Sequence, residues 1–104
     1  MALKYLCYYG LSEKDVEEIS EYVDEEVYTE LGLFEGLVSE NIKYMKDFGV
    51  SNYAQVVLKF PDIFLRDSES FRNIFSKFDH DDLIQKVEKN PAVFKKMVEF
   101  VDNN

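Results

Sequence analysis

Two places in the chain gather residue types suited to acid–base or metal chemistry. His80, the sole histidine, stands among Asp79, Asp81 and Asp82. An imidazole beside carboxylates can shuttle a proton or hold a metal, but either task needs further ligands or a partner brought from elsewhere in the chain. Acidic residues that open a helix are already explained by capping and by attraction to the helix dipole, so His80 reads as structural. The second place is the run of carboxylates from Glu13 to Glu40. An acid/base pair requires two carboxyls held at different pKa values by their surroundings, and these sit at solvent-type helical positions with no basic or apolar neighbour to do so. Gly32 and Gly36 lack the lysine and the preceding strand of a phosphate loop. A lone cysteine, Cys7, excludes a disulfide framework or a multi-cysteine metal site and fits a reducing, cytoplasmic setting. No catalytic residue, metal ligand or cofactor is assigned, and the chain reads as non-enzymatic.

The elements that carry these residues follow from composition and period. With 46% hydrophobic, 15% aromatic and 32% charged residues over 104 positions, disorder and collagen-like classes are excluded and one domain is expected. The apolar runs fall far short of the roughly 20 residues that span a bilayer, so no membrane partner is expected. Met1–Ser12 carries only Lys4 and no small-residue cleavage pattern, and reads as structure rather than as a signal peptide.

The chain also matches itself. Leu3–Ser12 aligns with Ile42–Ser51, sharing Lys, Tyr, Gly and Ser, and Phe48, Gln55, Val57, Lys59, Pro61 and Phe64 fall on Phe78, Gln85, Val87, Lys89, Pro91 and Phe94. Three units result, about 2–40, 41–71 and 72–104, each a helix, a turn, a helix and a short helix. In the second, Val38, Ile42, Met45 and Phe48 form an apolar stripe at helical spacing, Gly49 closes the helix, and Ser51 caps the next one through Phe60. Pro61–Leu65 begins a short helix. In the third, Asp79 is the N-cap, and Asn90 with Pro91 opens a last helix ending near Val101. In the first, Ser12 and Asp15 form a capping box for a helix spanning 12–27, which runs on or bends near Asp24, where the other units have proline, and Thr29–Leu37 is an inserted loop. Leu3, Leu6, Tyr9, Ile42, Met45, Phe48, Ile74, Phe75 and Phe78 are expected to share one core. No stretch alternates with period two. The expected fold is all-α, a right- or left-curved stack of about three repeats, a small α-solenoid.

Asn41–Ser51 followed by Val56–Leu65 resembles the repeat of the mitochondrial transcription termination factor family, a leucine-rich helix, a Leu-Gly turn, a second helix, then proline and apolar residues. Gly10–Val16 is similar to the turn and second helix, and Asn90–Phe94 to the ending. The resemblance implies a curved stack of helical triplets and, in that family, nucleic-acid binding along a basic concave face.

Charge points elsewhere. Residues 1–40 hold two basic residues, Lys4 and Lys14, against eleven acidic ones, which is the whole net charge of −9; residues 41–104 hold ten of each sign. An acidic segment attracts basic partners and repels phosphate backbones. Cys7 and Tyr8 align with Lys46-Asp47 and Ser76-Lys77, polar pairs in the other units, so this position is expected to face outward, with the Cys7 thiol fully exposed. Exposed aromatics favour interface centres. The sequence thus predicts a basic protein partner bound through Cys7, Tyr8, Glu17, Glu21 and Glu25. The alternatives are nucleic acid on Lys43, Lys46, Lys59 and Lys89, or an acidic inhibitor that mimics nucleic acid.

Overall fold

Ser12 takes an extended conformation, and its hydroxyl accepts the Asp15 N–H at 3.0 Å while the Asp15 carboxylate accepts the Ser12 N–H at 3.0 Å. This predicted capping box opens α1 (Glu13–Tyr22) in the computed structural model, which describes residues 3–104. Met1 and Ala2, where the first predicted unit begins, lie outside the described residues. The helix expected over 12–27, to run on or bend near Asp24, breaks there: Val23 is extended, and Asp24 accepts the Val27 N–H at 2.9 Å to start α2 (Glu25–Leu33). The expected loop at Thr29–Leu37 is helix as well. Phe34 alone separates α2 from α3 (Glu35–Phe48). Gly32 and Gly36 each disfavour a helix by about 1 kcal/mol, but Leu31 and Val38, fully buried on either side, outweigh them.

Gly10 (φ 85°) ends an N-terminal 3₁₀ segment, Lys4–Tyr9, and Gly49 (φ 118°) ends α3, each in the left-handed region that glycine enters without strain. Ser51 is not the cap of the next helix. Its N–H and hydroxyl both donate to the Glu88 carboxylate, and α4 (Tyr53–Lys59) begins without a side-chain cap. Pro61 leads a 3₁₀ segment, Pro61–Leu65. Asp67 and Asp79 then cap α5 (Ser68–Ser76) and α6 (His80–Lys89), accepting the N–H groups of Ser70 and Asp82. Asn90 accepts the Ala92 N–H ahead of α7 (Ala92–Asp102).

These helices pack into an all-helical globule of 37 × 24 × 22 Å, with no strand among the described residues. One core runs from Leu3 to Val98. Leu3, Leu6, Ile42, Met45, Ile74 and Phe75 are buried in it as expected, whereas Tyr9, Phe48 and Phe78 are only partly buried and flank it. Phe75 sits among rings, with centroids 4.9 Å from Phe48, 5.1 Å from Tyr44, 5.3 Å from Phe71 and 5.5 Å from Phe94. Polar bonds fix the register. Buried Asn41 donates its amide to the carbonyls of Phe64 (3.0 Å) and Arg66 (2.8 Å), and Asn52 donates to the Val87 carbonyl at 3.0 Å. Arg66 grips Asp102 through two bonds of 3.0 and 2.8 Å and holds that carboxyl below its usual range.

Candidate interaction surface

A 3₁₀ helix turns 120° per residue, so its side chains fall on three faces. In Lys4–Tyr9 the face of Leu3, Leu6 and Tyr9 meets the core, while Lys4 with Cys7 and Tyr5 with Tyr8 line an open groove of about 570 Å³. Glu35, from the first turn of α3, forms its other wall. The Tyr5 hydroxyl donates to the Leu31 carbonyl at 2.7 Å, occupying an acceptor in the last turn of α2. Burial, with smaller contributions from the charges of Glu35 and Tyr9, pushes the Tyr5 phenol well above its usual pKa. Tyr8 is 91% exposed.

Cys7 departs from its predicted place. It is half-buried against the core and not fully outward. The polar residues aligned with it predicted an outward position, but the side chain packs against the core beside the groove whose other wall is Glu35.

The predicted acidic residues divide. Glu17 and Glu21 stand exposed four residues apart on α1, where they share a face. Glu25 lies beyond the Val23–Asp24 break, in the first turn of α2, and borders a separate shallow groove with Ser20, Val23 and Tyr28. Cys7 and Tyr8 thus share one groove, Glu17 and Glu21 one helix face, and the five predicted residues are not a single stripe. Ion pairing leaves this region alone. Among the described residues the pairs are Arg66–Asp102, Arg72–Glu40, His80–Asp81 and Lys86–Asp82, and none engages an acid between Glu13 and Glu35.

Neither the family models nor the curated proteins nor the solved structures include a match to this chain.

Two residues missed by sequence reading complete the surface. Leu33 and Phe34, 72% and 49% exposed, form the α2–α3 corner immediately before Glu35. The alternative basic set is dispersed: Lys43 and Lys46 on α3, Lys59 ending α4, Lys89 ending α6. Lys46 rests 5.9 Å from the Tyr53 ring centre. Lys59 shares a groove with Glu18 and Tyr22, whose phenol is pushed up to about 12 by burial and then by the charges of Asp62 and Glu18. His80 has both ring nitrogens engaged, Nδ1 3.0 Å from Asp81 and Nε2 2.9 Å from the Phe48 carbonyl, and its ring lies 4.3 Å from that of Phe48. A ring so placed ties α6 to the end of α3.

Proposed function

We propose that this chain is a non-enzymatic, cytoplasmic helical-repeat module that binds a basic protein partner through its acidic N-terminal third. The observation that carries this reading is a coincidence within one segment of the chain. The residues holding the entire net charge, free of ion pairs from Glu13 to Glu35, also present Tyr8, Leu33 and Phe34 to solvent. Unpaired like charges raise a negative potential that steers a basic protein toward the surface. Exposed aromatic and aliphatic side chains then supply contact area that charge alone does not.

The repeat reading, and with it the kinship to the stacked triplets of the termination-factor family, draws support from two recurrences. Gly10 and Gly49 take the same left-handed turn before the second helix of their units, and Pro61 and Pro91 precede the third. The family's nucleic-acid binding is not carried over. A duplex-binding face needs several unopposed cations to displace counterions, whereas the basic residues after position 40 are matched in number by acids.

Affinity capture from an extract, with and without nuclease, tests the function. The expected result is a basic protein retained after nuclease, whose association rate falls and whose salt dependence flattens when Glu17, Glu21 and Glu25 are replaced by Gln. Nuclease-sensitive recovery, or binding indifferent to the triple replacement, overturns the reading.

A further inference from the structure

The geometry points to a defined seat for that partner: the Tyr8–Leu33–Phe34 corner and its groove take a basic amphipathic helix, apolar side chains inward. This rests on the proposed function and adds where the partner anchors and what form it has. Glu35 lines the groove with Tyr8, and Leu33 and Phe34 are its chain neighbours. Consecutive Cα atoms are about 3.8 Å apart, so the exposed Leu33 and Phe34 have their Cα atoms within about 8 Å of that of Glu35, the wall facing Tyr8 and Lys4. The groove, at about 570 Å³, lies within the range that accepts a bulky group.

The surrounding charge selects among occupants. A second copy would bring another −9 against the first. Anionic lipid and nucleic acid would meet the same repulsion. A helix with one apolar stripe and Lys or Arg along its flanks satisfies both features together, the apolar corner and the unpaired carboxylates of α2 and Glu35. The α1 acids Glu17 and Glu21 then act at longer range, on the rate of encounter.

Two synthetic helices of equal charge separate anchoring from attraction. One places Leu on a single face of an otherwise Lys-rich peptide; the other has Ser in place of every Leu. The intact protein is expected to bind the first about tenfold more tightly, a difference of the size a small apolar contact supplies. Leu33→Ser and Tyr8→Ser should each remove most of that preference, leave the weak binding of the Ser peptide unchanged, and leave thermal unfolding unchanged because both side chains are largely in water. Equal binding of the two peptides, or a preference that survives both substitutions, overturns the seat while the basic-partner reading stands. Failure to bind either peptide overturns both. Dimerisation abolished by Leu33→Ser, seen by sedimentation, or binding to phosphatidylserine vesicles, overturns the occupant.

Discussion

Every close aromatic pair among the described residues, from Tyr44–Phe48 to Phe78–Phe100, lies C-terminal to α2, and so do both members of every ion pair. The same region holds the bonds that join distant helices: Asn41 to the Phe64 and Arg66 carbonyls, Asn52 to Val87, Ser51 to Glu88. Residues 3–34 are built differently. They give the core aliphatic side chains, Leu3, Leu6, Leu11, Val16, Ile19 and Leu31, and one tethering bond of long sequence separation, from Tyr5 to Leu31. The contrast separates two tasks. Residues 35–104 use their polar groups on one another and fix the fold. Residues 3–34 keep most of theirs in water, which leaves charge and apolar surface for something else.

The largest effect is expected where the rings meet. Phe75→Ala removes a fully packed side chain from among Tyr44, Phe48, Phe71 and Phe94 and should lower stability by about 3–5 kcal/mol in urea unfolding. That is a large share of an ordinary domain's stability. A loss below about 1 kcal/mol would mean that the ring network is not what fixes the C-terminal region.

A smaller effect probes the other side. Tyr5→Phe deletes one hydrogen bond and should cost about 0.5–1.5 kcal/mol. If the N-terminal third is the more weakly held, amide exchange should accelerate in the 3₁₀ segment and α1 and stay unchanged in α3 and α5. Uniform acceleration along the chain would break the comparison.

Much of the C-terminal region was legible in the sequence because local signals there agree with tertiary packing. Asp79, Asn90, Gly49 and Pro61 each mark a boundary found where expected. Ser51 misled because a competing long-range acceptor, Glu88, claims its donors. In the N-terminal third, two glycines suggested a loop, but the burial of Leu31 and Val38 overrides their weak propensity. That error hid half of the surface. Leu33 and Phe34 gain their exposure from a one-residue corner between two helices, which spacing alone does not reveal. Tyr8 was legible as an outward aromatic, whereas the half-buried place of Cys7 depends on a tertiary neighbour, the first turn of α3 that walls its groove.

The smallest effect sharpens the comparison by pH. His80 joins α6 to α3, with Nδ1 against Asp81 and Nε2 against the last carbonyl of α3. Its pKa is raised above the ordinary 6.5, chiefly by the hydrogen bond to Asp81, which outweighs the opposing cost of desolvation, and then by the Phe48 carbonyl and the charges of Asp81 and Asp79. The imidazolium donates from both nitrogens, so the folded state favours the charged form. Its contribution is therefore complete below pH 6.5 and is lost as the pH rises through the higher folded-state value. Because the pair is exposed, salt should weaken it. Being the only histidine, His80 gives a single imidazole signal, and an NMR titration should place its midpoint above 6.5. His80→Asn should flatten the decline in stability above that pH and leave the exchange rates of residues 3–34 unchanged. A midpoint at or below 6.5, or the same decline in the Asn protein, would remove His80 from the bonds that hold α6 to α3.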